Sequence, residues 1–536
     1  MTRLPSIGGL ASARTVLLAA AVVLATVLAV TVAAAGGGVG TAIGGGDATD
    51  AASGADATSG VDAANGTDER IVDPPTYDPK RPTEPGTATV VRGGEDGASG
   101  DTTADDDSGE GDGAAEATRT YDDLAAAVDA AEPGDAIELS GVFEPEAPVV
   151  VDEPNVTIRA ETTHGALIDG GGEDTVLVLR APNATVEGVW IDDTGEDLES
   201  EDAGVYVAEN ATEPTLSDLY LTDAAFGVWV NGADAVTIRD SRIEGTEAPR
   251  FANRGNGINL WETNGSEIRD TEITGVRDGI YYSWASNVEA TGNTLWDLRY
   301  GVHYMYSDDN RLADNVAFEN DVGYALMVSE SIELVNNTAV ANRGESGHGI
   351  LLKEIDRTVV RDNDLVANDD GLFLYNAQDN EVRGNLLYAN GVGVHHTAGT
   401  EETAVAGNGF VDNDEQVLTT TRELVAWNGT DHGNYWSDAR VADTDGDGLS
   451  DTRHRPAGAA ERLVQEHPAA AVFADGPAFD AIRLVESRFP AVETAGIVDH
   501  RPLASPAHDA EPYRPYAAAV DATAEYDDDP GDDHHQ

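Results

Sequence analysis

The sequence predicts an all-β chain, a right-handed parallel β-helix (solenoid) of about 22-residue coils with a short N-terminal capping helix. Three observations carry this prediction. Nine glycines, Gly204, Gly227, Gly257, Gly279, Gly301, Gly323, Gly349, Gly371 and Gly393, each open a short strand, and five of the eight intervals are 22 residues. A period of that size in β-rich units marks stacked turns, because one turn cannot bury its apolar face alone. The residues after each glycine also alternate, as successive side chains of a strand point to opposite faces. From Gly227 onward the first and third positions run from Val228 and Val230 to Val394 and His396, and twelve of the sixteen are aliphatic, which marks an inner face. The second and fourth positions form an outer face that is aromatic and soft, with Trp229, Trp261, Tyr281, His303, Met305, Met327, Phe373 and His395 among them. Finally, Asn293, Asn315, Asn337, Asn363 and Asn385 stand fourteen residues beyond five successive glycines. Asparagines stacked at one corner pair their amides along the stack, so this set is a structural ladder. The right-handed bias of parallel crossovers sets the hand.

The elements follow in order. Residues 1–35 form a signal peptide or N-terminal transmembrane anchor: Thr15 to Ala35 is uncharged and rich in Val, Leu and Ala, with Arg3 and Arg14 before it. That charge asymmetry places everything downstream outside the cytoplasm. Residues 36–118, mostly Gly, Ala, Asp, Thr and Ser, form a disordered acidic linker that buries too little apolar surface to order itself. Residues 119–430 are the β-helix. At its start Tyr121, Leu124, Ala127, Val128 and Ala131 mark one face of a helix that ends at Pro133-Gly134, a cap for the first edge. Wider glycine intervals imply loops inserted near residues 247–256 and 342–348. Residues 431–506 hold a calcium-type loop and a partner-binding helix. In that helix Asp475 caps, Pro477 suits the first turn, and Phe479, Ile482, Leu484, Val485 and Phe489 supply an apolar face. Residues 507–536 form an acidic tail.

Charge and cysteine content exclude several functions. Ninety-nine Asp plus Glu against 31 Lys plus Arg give a net charge of −68, a surface that repels nucleic acid and anionic lipid. The acid excess is spread over every segment and reads as adaptation to concentrated salt. With no cysteine, disulfides, thiolate metal sites and cysteine nucleophiles are ruled out.

Two constellations carry chemistry. Met305 and Met327 are the only methionines apart from the initiator, and both occupy the fourth position after a glycine in adjacent coils. Their side chains are expected side by side, with His303 two residues before Met305 on the same face. Two thioethers and an imidazole suit Cu(I) and are poor ligands for Mg²⁺ or Ca²⁺. The alternative reading is that the methionines fill packing gaps. His348, His395 and His396, on later coils, could extend the site or serve as ordinary surface and core residues. The second constellation is Asp443, Asp445, Asp447 and Asp451, with Gly448 at the sixth position of the loop. That spacing matches a tight Ca²⁺ loop, while His454 in place of the twelfth-position acid argues against a full EF-hand; a plain acidic turn is the alternative. Asp308-Asp309 and Asp369-Asp370 are paired acids near strand ends, uninformative in so acidic a chain.

The stretch from Arg299 to Asn310, reading RYGVHYMYSDDN, resembles the signature coil of the NosD family of nitrous-oxide-reductase maturation proteins. Gly433 to Asp438, the Asp443 to Asp451 loop, Phe489-Pro490 and Asp499 to Leu503 resemble that family's C-terminal region, so the similarity spans about Thr120 to Pro506. The long linker and the acidity depart from the family pattern. The resemblance implies an extracytoplasmic, non-enzymatic accessory of an ABC-type ATPase and membrane permease, handling copper for nitrous oxide reductase or exchanging it with a copper donor protein. It also implies that the permease docks on the C-terminal region. The other function class open to the sequence is a β-helical carbohydrate-binding or polysaccharide-degrading surface protein, since aromatic side chains stack on sugars.

Overall fold

The computed structural model describes residues 72–92, 118–246, 248–397, 399–474, 476–488 and 494–516. The segment expected to be a signal peptide or anchor lies outside them. Parallel strands from Ala136–Phe143 to Tyr435–Trp436 form a β-solenoid of about 13 turns. Its clearest face is a 12-stranded parallel sheet running from Val149–Val151 to Glu415–Thr419. Short strands make the other two walls, each pairing with its counterpart one coil away, as Glu289–Thr291 does with Arg311–Ala313 and Thr294–Trp296 with Val316–Phe318.

The inner face is the one the alternation marks. Val228, Leu260, Ile280, Val302, Leu326, Ile350 and Leu374 are all inaccessible to solvent, and Tyr282 stacks on Tyr304 with centroids 4.1 Å apart. The glycine column has a steric cause. A Cβ on Gly301 would stand 2.6 Å from the carbonyl oxygen of Gly323 in the next coil. Only a residue without one lets successive coils approach this closely.

The asparagine corner is a continuous amide ladder. Asn293 Nδ2 donates to Asn315 Oδ1 at 2.9 Å, Asn315 to Asn337 at 3.0 Å, Asn337 to Asn363 at 3.1 Å and Asn363 to Asn385 at 2.9 Å. It continues through Asn408 to Asn434. A second ladder, Asn320, Asn342, Asn368, Asn390 and Asn413, runs up another corner with amide contacts of 2.9 to 3.1 Å. Each amide also accepts from a buried backbone N–H and donates to a buried carbonyl, as Asn337 does with Asn315 N and Leu312 O. The tight corners thereby leave few backbone groups unpaired.

At the N-terminal end, Leu124–Asp129 is helical, capped by Asp123, whose carboxylate accepts from Ala126 N at 2.7 Å. Leu124, Ala127 and Val128 are its buried face. The linker expectation needs correction over residues 72–92. Thr87–Val91 is a strand that pairs antiparallel with Ala136–Phe143 and with Arg119–Tyr121, burying Ala88 and Val90. Its alternating small and β-branched residues provide a half-buried strand pattern that the surrounding Gly- and Asp-rich composition conceals. Arg81 extends the contact by pairing with Asp169 and Asp192.

The acidic-tail expectation is corrected likewise at its start. Tyr513 Oη donates to Asp364 Oδ2 at 2.6 Å, and Tyr516 Oη donates to the carbonyl of Val72 at 3.1 Å. Two tyrosines thus fix residues that the charge count assigns to solvent.

After the last coil, a three-stranded sheet combines Leu424–Ala426, His454–Ala457 and Gly496–Asp499. Its centre is Asp499, wholly buried, which accepts from Asn434 N at 2.7 Å, Trp436 Nε1 at 2.9 Å and Arg501 N at 2.9 Å. One carboxylate therefore ties the Gly433 to Asp438 stretch to the Asp499 to Leu503 stretch.

Residues 459–488 belong to a separate small unit. It contains helices Ala459–Glu466 and Pro477–Arg488, with Arg483 Nε donating to Glu461 Oε1 at 2.8 Å. Phe479 is buried and Ile482 and Val485 are half-buried, whereas Leu484, Val472 and Phe473 are exposed. Asp475 and Phe489, assigned to this helix from sequence, lie outside the described residues. Among the described residues no helix is long and apolar enough to cross a membrane.

Candidate metal centre

Strands Asp278–Ser283, Tyr300–Met305, Val322–Glu330, His348–Asp356, Asp370–Tyr375 and Val392–His396 lie side by side in the 12-stranded sheet. Met305 and Met327 are direct partners in this register, as are His303 and Ala325. Both methionines are half-buried, and Met327 packs against the cluster of Val322, Ala325 and Leu351.

His303 is more enclosed than an outer-face position suggests, with 8 % of its surface exposed. The rings of Tyr281 and Tyr300 flank it at 4.9 and 5.0 Å. Its Nδ1 stands 3.0 Å from Oδ2 of Asp278, which Arg299 grips through Nε at 2.8 Å and a terminal nitrogen at 2.6 Å. Burial alone would raise the Asp278 carboxyl, but the hydrogen bonds from His303 and Arg299 and the charge of the Arg299 guanidinium outweigh it and hold the group below its usual range. A carboxylate accepting at Nδ1 leaves the lone pair on Nε2. That atom is buried and has no hydrogen-bond partner among the described residues. An imidazole fixed at one nitrogen by a carboxylate and open at the other is the arrangement of metal-ligating histidines. His303 so held offers one nitrogen donor on the strand that also carries Met305.

Sequence reasoning missed Asp278 and Arg299. The available signal was an acid directly before a strand glycine, which recurs at Asp370. There His395 Nδ1 lies 3.1 Å and His348 Nδ1 3.3 Å from Asp370 Oδ2, with the Phe373 ring 4.6 Å from each imidazole. The two histidines hold the Asp370 carboxyl below its usual range against the upward push of burial. His396 points the other way. It is buried, Nδ1 is 3.2 Å from Thr419 Oγ1, and desolvation pulls its pKa down to about 4, so it is a neutral core residue.

In the second constellation, Asp443, Asp445 and Asp447 each bring a carboxylate oxygen within 4.8 Å of the others. Asp443 accepts from Gly446 N at 2.7 Å and from Gly448 N at 3.1 Å, a turn that uses positive φ at both glycines (+78° and +84°). Asp451 stands apart from the three and accepts from Thr444 N at 2.9 Å. The loop is pinned by Ser450 N to Pro502 O at 2.8 Å and Ala504 N to Gly448 O at 2.9 Å.

Residues 240–440 match the family model described as periplasmic copper-binding protein (NosD). A curated relative from Pseudomonas aeruginosa, named as a probable ABC transporter binding protein NosD, is 35 % identical over 368 residues, which cover 66 % of this chain and 85 % of the relative. The chain belongs to the NosD family. A second NosD, from Stutzerimonas stutzeri and named in the same way, is 33 % identical over 383 residues, covering 68 % of this chain and 85 % of that one. Among solved structures, the catalytic unit of a thermostable α-1,3-glucanase from Streptomyces thermodiastaticus aligns with a TM-score of 0.41 at 14 % identity, over 56 % of this chain and 64 % of the other. The A-module of an Azotobacter vinelandii mannuronan C-5 epimerase aligns with a TM-score of 0.37 at 17 % identity, over 58 % and 87 %. NosD membership makes this a NosD-like protein, and both curated relatives carry the name of a probable ABC transporter binding protein.

Proposed function

We propose that this NosD-family chain handles copper for the maturation of nitrous oxide reductase, as a binding protein rather than an enzyme, and that His303, Met305 and Met327 hold Cu(I) as cargo. One observation carries the assignment: His303 Nε2 is buried and has no partner among the described residues while Nδ1 is fixed by Asp278, on the strand face that aligns Met305 with Met327. Thioether and imidazole donors favour Cu(I), and the set lacks the thiolates and additional imidazoles that a tight Zn²⁺ site uses. Half-exposed methionines beside a covered histidine leave a path for handing the ion on.

The partners in this reading are an ABC-type ATPase and its membrane permease, with nitrous oxide reductase or a copper donor protein exchanging the ion. Exposed Val472 (85 %) and Phe473 (58 %) of the small helical unit support permease docking there, because two large apolar side chains held in solvent favour a partner surface. Residues 15–35 export or anchor the chain. The Asp443, Asp445 and Asp447 carboxylates bind a structural Ca²⁺, with Asp451 bracing the turn.

The test is a maturation assay. Cells carrying Met305→Leu with Met327→Leu should assemble nitrous oxide reductase depleted in copper, while export and folding of the variant are unchanged. Fully loaded reductase in those cells would overturn the assignment.

A further inference from the structure

Toward the N-terminal end of the same sheet face, a cavity of about 320 Å³ opens beside the coils that precede the metal centre. Its aromatic walls are Phe226, Trp229, Trp261 and Tyr281, with Phe226 and Trp229 edge to face at 4.6 Å. Trp261, at 39 % exposure, is the wall most open to solvent.

The polar groups in it are oriented by a relay. Arg277 can only donate, and a terminal nitrogen of its guanidinium reaches Asn256 Oδ1 at 3.2 Å. The Asn256 amide must then present its nitrogen to Asn259, and Nδ2 donates to Asn259 Oδ1 at 2.8 Å. Asn259 is thereby forced to turn its own NH₂ away from Asn256. This side chain is 98 % buried, and its Nδ2 has no partner among the described residues. Trp229 Nε1, one coil earlier and directly opposite Asn259 in register, is a second buried donor with no partner among the described residues. A buried donor left unpaired is costly, so two at one cavity mark a place where a ligand supplies the acceptors.

Glu201 provides the complementary group. Asn231 Nδ2 donates to Tyr206 Oη at 2.6 Å, which leaves the phenol proton for the Glu201 carboxylate. Burial raises the Glu201 carboxyl above its usual range.

We propose that this cavity binds one sugar residue, its hydroxyl oxygens accepting from Trp229 Nε1 and Asn259 Nδ2, a hydroxyl proton reaching Glu201, and an apolar ring face lying on the aromatic walls. A sugar meets each requirement at once: acceptors and donors on one small neutral ring, plus C–H faces for stacking. An inorganic oxyanion would face Glu201 in a chain of net charge −68, and a metal cation would face N–H donors. The cavity shares the Tyr281 ring with the surroundings of His303, but its donors, Trp229 and Asn259, are none of the proposed copper ligands, and the proposal does not rest on the copper reading.

The test uses the full chain in concentrated NaCl, titrated separately with methyl α-D-glucopyranoside, methyl α-D-mannopyranoside and methyl β-D-galactopyranoside. Tryptophan fluorescence and saturation-transfer NMR follow binding, and sodium acetate and glycine betaine serve as anionic and zwitterionic probes. At least one glycoside should bind saturably. Trp229→Phe keeps the ring and removes the N–H, and should weaken binding roughly three- to tenfold. Trp261→Ala removes an exposed stacking surface without opening the core, and should weaken binding about tenfold. It carries the test alone if Trp229→Phe misfolds by circular dichroism. No saturable binding by any glycoside, saturation by acetate or betaine in place of the glycosides, or glycoside binding unchanged in a folded variant would each overturn the proposal.

Discussion

His303 Nδ1 stands 3.0 Å from Oδ2 of Asp278, an acid one coil earlier in the stack and wholly buried. The contact spans 25 residues of sequence yet only one interstrand step. It chooses the tautomer of His303 and so decides which nitrogen is available to a metal.

Replacing Asp278 tests that role. Asp278→Asn keeps size and removes the charge that holds the imidazole, so Cu(I) affinity should fall roughly 10- to 100-fold, the usual cost of losing such a partner. Arg299, about one-third exposed, can turn to water in the variant. An anaerobic competition titration against a Cu(I) chelator gives the number.

His396 sets a pH dependence of stability. Its pKa is about 4 in the folded chain against an ordinary 6.5, so the neutral form belongs to the native state. This contribution is fully present above pH 6.5 and is lost as pH falls toward 4, where the unfolded chain takes up the proton and the native chain does not. Between pH 7.5 and 4.5 the loss is about 2.5 kcal/mol. Denaturant unfolding of His396→Gln at both pH values should show a drop smaller by about that amount than the parent chain.

The ladders were legible in part. A fourteen-residue offset exposes Asn293 to Asn385, and the second ladder was open to the same reasoning, since Asn320, Asn342, Asn368 and Asn390 all lie nineteen residues beyond a strand glycine. Inner-face positions were legible because burial follows a period of two. Asp278 and Arg299 were legible only in part: an acid before a strand glycine marks Asp278 and Asp370, but the pairing with His303 lies in a contact between coils. Thr87–Val91 escaped for a third reason: five residues of strand pattern vanish in the average of a polar segment. The methionine pair was readable from rarity and offset together.

Asn337 is a strong test of the ladder. Asn337→Ala removes donors to Leu312 O and Asn363 Oδ1 and the acceptor for Asn315, leaving several buried groups unpaired. Stability should fall by roughly 3–5 kcal/mol. The neighbouring Asn336 is exposed at positive φ (55°), so Asn336→Ala should cost only about 1 kcal/mol. Chemical denaturation of the two variants separates buried pairing from turn preference.

Calcium should order the loop at Asp443, Asp445 and Asp447, whose three carboxylates repel one another without a cation. Chelation should open residues 442–451 to protease and leave the solenoid intact, because that loop is held at few points beyond Pro502 and Ala504. Limited proteolysis in constant high salt, with and without chelator, reads this out. Identical cleavage patterns would remove Ca²⁺ from the account.

The central claim is that Met305, Met327 and His303 form one Cu(I) site. Its most direct measurement is an anaerobic Cu(I) titration of the parent chain and of the variant with both methionines replaced by leucine, each competing with a chelator of known affinity. Leucine keeps volume and apolarity close to methionine, so folding should survive. The account predicts one tight Cu(I) with sulfur scatterers in the X-ray absorption spectrum of the parent, and loss of that site in the variant. Equal Cu(I) affinity in the two proteins would contradict it.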